Sequence, residues 1–247
     1  MSREPAVLGV DIGGSSIKCC LLNEQGIVRH VTLQYEIGKD PDTVLQMVNE
    51  IAELWNHDGS IGIGFPGRID GHRIVDAPNM GKGWEGVNFS NQLQQRLSAP
   101  VAILNDADAA ALAMAQETDG WETENILCLT LGTGIGSAWL KQGLLEAGTE
   151  YGRMMHPRFD CSLEQWASVR TLNEENLSVE EWAGRLATVL EFLLEQFRPD
   201  RFVLSGGITT SSKEWIEIIQ QRMSIPVEIS KYGDLTGAVG AAKLQMV

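Results

Sequence analysis

The chain has 247 residues, of which 43% are hydrophobic and 21% are charged, as in an ordinary globular protein with one large core or two modest ones. Its formal net charge of −14 argues against nucleic acid as the main partner, because phosphate backbones require a basic surface. No signal peptide precedes the first predicted strand, and no apolar run is long enough to span a bilayer. A cytoplasmic protein without a membrane partner is therefore expected.

The four cysteines indicate neither a metal site nor a disulfide framework. Cys19 and Cys20 are adjacent on a predicted strand and point to opposite faces, so both are expected to act as small apolar residues. No CxxC spacing occurs, and His156 and Cys161 are too isolated to predict metal ligands. This cysteine usage fits a reducing compartment.

The chain begins with a predicted meander of three strands whose first turn is rich in glycine and serine. Apolar runs at 6–10, 17–22 and 27–33 predict the strands, and residues 12–16 form the turn. Glycines leave backbone N–H groups free to approach a phosphate. Asp11, at the end of the first strand, could hold a hydrated Mg²⁺ through one carboxylate. The alternative is an ordinary hairpin with an aspartate in its turn.

A helix, a buried strand, a hairpin and a short helix are predicted next. Apolar residues on one face predict a helix over 41–55, and a short apolar run predicts a buried strand over 61–65. A hairpin is predicted over 69–75 and a short helix over 89–97. Residues 76–84 contain several turn formers and predict a loop, and such loops often carry ligand contacts.

Residues 101–113 predict a buried strand that passes directly into an alanine-rich helix. Asn105 and Asp106 lie at the junction. One interpretation is a well-made helix start, because Asn is a preferred N-cap and Asp is favoured in a first helical turn. The other is that Asp106, at the carboxyl end of a strand, is a general base.

A second glycine-rich hairpin follows this helix. Residues 125–131 predict a strand, residues 132–137 a turn rich in Gly, Ser and Thr, and residues 138–140 a second strand. The pattern repeats that of residues 7–26, which indicates an internal repeat of a phosphate-binding hairpin. Two such turns on either side of a strand-end aspartate are typical of phosphoryl transfer.

The last part of the chain contains fewer candidate functional residues. Ser178 and Glu181 predict a capping box for a helix that ends near Phe197, because Pro199 cannot continue it. Further predicted elements are a helix around Glu164, strands at 201–204 and 227–229, and helices at 212–223 and 235–244. The turn at Gly206 and Gly207 either lets an anionic or flat ligand approach the backbone or is simply a tight strand–helix turn.

Five motifs in one order resemble those of the ROK sugar kinases, and within that family the polyphosphate glucokinases. They are DIGGSSIK at 11–18, GFPG at 64–67, LNDADAA at 104–110, LTLGTGIGS at 129–137 and SGG at 205–207. The resemblance implies phosphorylation of a sugar, with glucose as the leading candidate, from ATP, inorganic polyphosphate or both.

The resemblance also implies an α/β, two-domain actin-like ATPase (ribonuclease H-like) fold with a central cleft. The smaller domain would cover residues 1–105 and the larger 106–247, with the terminal helix at 235–247 packing back on the first domain. A homodimer is expected as well.

By the same resemblance, Asp106 would be the catalytic base that takes the proton of the sugar hydroxyl. The other implied sites are Asn79, Asn105, Glu150, Arg153 and Glu164 for the sugar, Gly13, Gly14, Ser15, Ser16, Lys18, Gly132, Thr133 and Gly134 for the donor phosphates, Gly206 and Gly207 for the nucleotide, and Asp11 for Mg²⁺.

Two departures from the family pattern change the expectation. The cysteine-rich zinc motif of most ROK proteins is missing, so no zinc is expected. Arg153 stands where the family has a sugar-contacting His, and Arg is a fixed cation with five donors. It would either select an acidic or phosphorylated sugar, or pair with Glu150 or Glu164 and reshape the pocket.

The sequence is thus consistent with three functions to different degrees. An active sugar kinase is favoured by Asp11, Asp106 and the two glycine turns. A non-catalytic sensor of a sugar or nucleotide is favoured by Arg153. A sugar-responsive repressor would carry a helix-turn-helix before the first strand, where only residues 1–5 stand here, and it does not suit an acidic chain.

Overall fold

The computed structural model describes residues 6–35, 40–78, 80–115 and 117–246. Contacts divide the chain into two compact units, one formed by Met1–Ala113 with Gly237–Val247 and the other by Met114–Thr236. The division falls after Ala113, whereas the sequence suggested a boundary after Asn105, and that domain boundary stays a prediction.

The first unit is built on a five-stranded mixed sheet in the order β3-β2-β1-β4-β7. β1 pairs antiparallel with β2 and β2 with β3, whereas β1, β4 and β7 run parallel. Its strands are β1 (Val7–Ile12), β2 (Ser16–Asn23), β3 (Gly26–Gln34), β4 (Ile61–Phe65) and β7 (Val101–Asn105), with a separate hairpin of β5 (Arg68–Asp70) and β6 (Arg73–Asp76). Its first helices are α1 (Pro41–Leu54), α2 (Phe89–Leu97) and α3 (Asp106–Ala115).

The second unit repeats this sheet. Its strand order is β10-β9-β8-β11-β12, again with two antiparallel pairings followed by two parallel ones. The strands are β8 (Asn125–Leu131), β9 (Ile135–Lys141), β10 (Leu144–Glu146), β11 (Arg201–Ser205) and β12 (Val227–Ile229). The helices are α4 (Leu163–Ala167), α5 (Val169–Glu174), α6 (Val179–Phe197) and α7 (Ile216–Gln220), and α8 (Thr236–Lys243) follows them. The predicted hairpin repeat is confirmed and extends to the whole sheet.

Helix starts in both units follow from local sequence signals. At α1, Asp40 accepts the N–H of Thr43 at 3.0 Å, and Pro41 occupies the first turn, where its missing N–H costs nothing. At α6, Ser178 and Glu181 form the predicted capping box. The buried face of α1 packs in the first core, and that of α6 packs in the second.

Glycines bring α8 unusually close to the first sheet. A Cβ at Gly9 would lie 1.9 Å from the carbonyl oxygen of Ala238, and one at Gly62 would lie 1.7 Å from that of Ala241. Since no side chain fits there, the helix backbone rests directly on β1 and β4. Gly240 lets α8 approach α3 in the same way, because its Cβ would lie 1.7 Å from the carbonyl oxygen of Ala109.

The helix predicted over 212–223 is wrong. The structure has 3₁₀ turns over Gly207–Glu214, and α7 covers only Ile216–Gln220. The hydroxyls of Thr209, Thr210 and Ser211 each donate to the carbonyl three residues earlier, at 2.7, 2.8 and 3.1 Å, and these local bonds compete with a regular α-helix. Within the described ranges, no helix combines the length and the apolar character that crossing a membrane requires.

Candidate active site

Asn105 and Asp106 lie where β7 passes directly into α3. The Oδ1 atom of Asn105 accepts the N–H groups of Ala107 at 2.9 Å and Asp108 at 3.2 Å, and its Nδ2 donates to the carbonyl of Gly67 at 3.1 Å. The helix-capping interpretation is therefore correct for Asn105, whose contact with a sugar stays a prediction.

Asp106 is the first residue of α3, and its Oδ1 accepts the N–H of Ala107 at 2.8 Å. The N-terminus of a helix stabilises a negative charge, and a general base must carry that charge to accept a proton. The structure thus places the carboxylate of the predicted base at the first residue of a helix, directly after the carboxyl end of β7.

Asp11 lies beside the same part of the first sheet. A Cβ at Gly64 would be 3.5 Å from the Cα of Asp106 and 3.8 Å from Oδ1 of Asp11, so this glycine separates the two acidic residues. The Asp11 carboxylate also fills the space against Gly237, whose Cβ would lie 2.7 Å from its Cγ. Lys18 is directly opposite Asp11 in the β1–β2 ladder, so both project from one face.

These residues fit Mg²⁺ held by few protein ligands. Mg²⁺ is usually bound through one or two carboxylates and the phosphates of a substrate, and Asp11 offers such a carboxylate beside the first glycine turn. In the part of the chain that the structure describes, no group of three or more His, Cys, Asp or Glu side chains is arranged to hold a metal ion.

The first glycine turn is partly closed by its own backbone. The N–H of Gly13 donates to the carbonyl of Ser16 at 2.8 Å. The expectation that the glycine N–H groups of this turn are free is therefore wrong for Gly13, because the strand ladder continues one pair beyond β1. Gly14, Ser15 and Ser16 complete the turn.

Tyr35 contacts this turn, and no sequence motif indicates this contact. Its N–H donates to the carbonyl of Ser15 at 2.9 Å, and its hydroxyl donates to the carbonyl of Gly13. Burial and the negative charge of Asp11 raise the pKa of Tyr35 to about 12. A tyrosine just after the third strand matches no motif, so only the fold could associate it with the turn.

The second glycine turn is held from outside its hairpin as well. The carbonyl of Gly132 accepts the N–H of Val169 at 2.9 Å, and Oε2 of Glu164 lies 3.4 Å from the N–H of Ile135. A Cβ at Gly134 would come within 2.5 Å of the same Glu164 oxygen. Glu164 thus lies directly on the turn that contains Thr133.

Glu150 and Arg153 flank a 3₁₀ turn, Tyr151–Arg153, that packs on the same hairpin. A Cβ at Gly152 would lie 2.0 Å from the carbonyl oxygen of Ile135, so the two backbones are in contact. Nε of Arg153 pairs with Oε2 of Glu150 at 3.2 Å, and both side chains are half-exposed. The structure contains the Glu150 pair that one of the two interpretations of Arg153 required.

The remaining predicted site residues are Gly206, Gly207 and Asn79. Gly206 adopts a φ of +111°, and a Cβ there would lie 2.1 Å from the carbonyl oxygen of Leu131. Only glycine suits this position, because both the backbone angle and the space exclude a side chain. Around Gly207 a Cβ would meet nothing. Asn79 lies outside the described residues.

Comparison with known proteins identifies the family. The sequence model described as "ROK family" matches residues 7–164. The chain belongs to the ROK family. It is 33% identical over 242 residues to the polyphosphate glucokinase of Mycobacterium leprae, which covers 95% of this chain and 72% of that protein. It is 30% identical over 239 residues to the polyphosphate glucokinase of Mycobacterium tuberculosis (strain CDC 1551 / Oshkosh), with 95% and 89% covered.

Solved structures of ROK proteins share the fold. The inorganic polyphosphate/ATP-glucomannokinase of Arthrobacter sp. strain KM superposes with a TM-score of 0.89 at 28% identity and covers 98% of this chain and 100% of its own. A ROK glucokinase from Streptomyces griseus gives a TM-score of 0.84 at 21% identity, covering 97% and 98%. The α/β, actin-like ATPase fold expected from the sequence is confirmed.

Proposed function

We propose that this protein is a sugar kinase that transfers a phosphoryl group from ATP or inorganic polyphosphate to a hydroxyl of a hexose, with glucose to glucose 6-phosphate as the leading reaction. The observation that carries the proposal is the similarity to two polyphosphate glucokinases, at 33% and 30% identity across 95% of the chain. A phosphotransferase with an alcohol acceptor follows from this relationship.

In this proposal Asp106 is the general base. The oxygen of the sugar hydroxyl attacks the terminal phosphorus of the donor, and the bond from that phosphorus to its bridging oxygen breaks. The hydroxyl proton passes to the Asp106 carboxylate, while the bond electrons leave on the donor. The position of Asp106 directly after the carboxyl end of β7 supports this role, because ligands of open α/β sheets bind at the carboxyl ends of the strands.

The two glycine turns bind the donor phosphates in this proposal. The first comprises Gly13 to Ser16 with Lys18 nearby, and the second comprises Gly132 to Gly134. Mg²⁺ bound at Asp11 would offset the negative charge of the donor phosphates. Gly206 and Gly207 would contact the nucleotide when the donor is ATP.

Asn79, Asn105, Glu150, Arg153 and Glu164 bind the acceptor in this proposal. A homodimer in the cytoplasm, without zinc, belongs to the same proposal. A non-catalytic sensor is the alternative, and the ion pair of Arg153 with Glu150 is the observation that favours it, because the paired carboxylate is less available to a sugar hydroxyl.

The test is product formation by purified protein with Mg²⁺, ATP or polyphosphate, and a panel of neutral, N-acetylated and acidic sugars. Turnover of at least one sugar is expected. Asp106→Asn should lower kcat by about 10²–10⁴-fold, because a general base contributes that much, and it should leave sugar binding measurable. Asp70→Asn, at an exposed strand end, is the matched control and should keep full activity. Sugar binding by the wild type without any turnover would favour the sensor.

A further inference from the structure

The first glycine turn lacks one of the hydrogen bonds that its geometry leads us to expect. A hydrogen-bonded pair of an antiparallel ladder exchanges two N–H···O bonds. Gly13 donates to the carbonyl of Ser16 at 2.8 Å, but the reciprocal bond from the Ser16 N–H to the Gly13 carbonyl is not formed. The Gly13 carbonyl accepts the hydroxyl of Tyr35 instead.

Tyr35 holds a second carbonyl of the same turn. Its backbone N–H donates to the carbonyl of Ser15 at 2.9 Å. This bond is expected, because Ser16 and Gln34 form a non-hydrogen-bonded pair and the next residues along the two strands are hydrogen-bonded. The carbonyl and the N–H of a trans peptide point in opposite directions. With the carbonyls of Gly13 and Ser15 fixed on Tyr35, the N–H groups of Gly14 and Ser16 point away from it.

These N–H groups have no backbone acceptor within residues 6–35, 40–78, 80–115 and 117–246. The same is true of the N–H of Ser15. Adjacent backbone N–H groups that point in a common direction make an anion-binding concavity. The turn therefore presents N–H groups without a backbone acceptor beside Asp11 and Lys18, the residues of the proposed Mg²⁺ and phosphate site.

The second hairpin supports this interpretation independently. Gly132 follows β8 as Gly13 follows β1, and its carbonyl accepts the N–H of Val169 at 2.9 Å. In both repeats, a donor from outside the hairpin holds the carbonyl of the first glycine after the strand. The hydrogen-bond donor is the hydroxyl of Tyr35 in the first hairpin and the backbone N–H of Val169 in the second.

We infer that Tyr35 is a positioning residue for the donor phosphates: by holding the Gly13 and Ser15 carbonyls, it keeps the first turn open so that the N–H groups of Gly14 and Ser16 bind phosphate oxygens. This inference rests on the proposed function. Because the pKa of Tyr35 is raised to about 12, its hydroxyl keeps its proton and remains a donor through the physiological pH range.

The test is Tyr35→Phe, which removes the hydroxyl and keeps the ring. Without the hydroxyl, the Ser16 N–H can donate to the Gly13 carbonyl instead. The phosphates of ATP or polyphosphate then lose one hydrogen bond. The KM for ATP and for polyphosphate should rise about 5–10-fold, the effect of about one hydrogen bond, while the KM for the sugar stays within about twofold. Tyr232→Phe, which removes a phenol hydroxyl outside both turns, should change neither KM. A donor KM within about twofold of the wild-type value in folded Tyr35→Phe would overturn the inference.

Binding measurements separate this inference from the proposed function. Tripolyphosphate should bind Tyr35→Phe about 5–10-fold more weakly than wild type in calorimetric titration, whether or not the wild type turns over a sugar. In the wild type, the amide resonances of Gly14 and Ser16 should shift on titration with tripolyphosphate, and this measurement needs no variant to fold. Tripolyphosphate binding that leaves both resonances unmoved would contradict the inference, whereas absence of sugar turnover alone would contradict only the kinase proposal.

Discussion

The guanidinium of Arg153 forms an ion pair with the carboxylate of Glu150, with 3.2 Å between Nε and Oε2. Glu164, the other charged residue proposed for the acceptor, contributes a further negative charge and lies on the second glycine turn. Since the positive charge of Arg153 is already matched, this group of side chains does not offer a free cation to an acidic sugar. We therefore expect a neutral hexose to be the preferred acceptor.

Removing the partner of Arg153 should change the acceptor preference. In Glu150→Gln the guanidinium loses its counter-charge, so kcat/KM for neutral hexoses should fall by about tenfold relative to that for hexuronic acids, the equivalent of one charge-assisted interaction. The measurement is the ratio of the two kcat/KM values. Glu146→Gln, whose carboxylate pairs with Lys141, is the matched control and should leave the ratio unchanged.

Arg153→His tests the same pair from the other side. If Arg153 is neutralised by Glu150, the variant should keep the wild-type preference for neutral sugars. A marked shift from acidic toward neutral acceptors in this variant would mean instead that Arg153 selects an anionic sugar.

The contact between α8 and the first sheet should depend on glycine. In Gly62→Ala the new methyl group would lie 1.7 Å from the carbonyl oxygen of Ala241, and the helix backbone cannot yield as a flexible side chain could. Overpacking of this kind costs about 1–3 kcal/mol or more of unfolding free energy, which should be visible as a lower midpoint in urea unfolding.

Gly184→Ala provides a control of opposite sign. Gly184 lies within α6, and a Cβ there would meet no neighbouring atom. The substitution should raise the free energy of unfolding by about 0.5–1 kcal/mol, because alanine loses less conformational freedom in a helix than glycine. Equal midpoints for the two alanine variants would be incompatible with the described packing of α8.

The stability of the second unit should fall in mild acid because of His156. This side chain is buried, stacks on Phe159 with 4.3 Å between ring centroids, and accepts the N–H of Arg158 at Nδ1 at 3.0 Å. Burial, and then the positive charge of Arg158, lower the pKa of His156. Below pH 6.5, the ordinary pKa of a histidine, the imidazole of His156 takes up a proton in the unfolded chain but not in the folded one. The free energy of unfolding therefore falls as the pH is lowered, until the pH reaches the lowered pKa of His156 in the folded protein.

The measurement for His156 is the melting temperature between pH 7.5 and pH 5. His156→Gln should reduce the decrease in melting temperature across this range, and His30→Gln, on the exposed part of β3, should not. An unchanged pH dependence in His156→Gln would show that other groups cause the loss of stability.

Much of the fold could be predicted because its signals are local. The capping box of Ser178 with Glu181 and the junction between Asn105 and Asp106 involve residues at most three positions apart, and both formed as predicted. The absence of a regular helix over 212–223 could not be predicted, since apolar spacing does not reveal that the hydroxyls of residues 209–211 bind the backbone.

The sequence by itself determined the two glycine-rich hairpins and the strand–helix junction at Asp106, because apolar runs, turn residues and caps act over a few neighbouring positions. Its five motifs indicated the family by resemblance. Only the tertiary structure decided that the Tyr35 hydroxyl holds the Gly13 carbonyl, that Glu164 lies on the turn before Ile135, and that glycines admit the backbone of α8. These contacts join segments far apart in the chain, and their geometry depends on how the strands and helices pack. No local pattern encodes which distant donor reaches a given carbonyl.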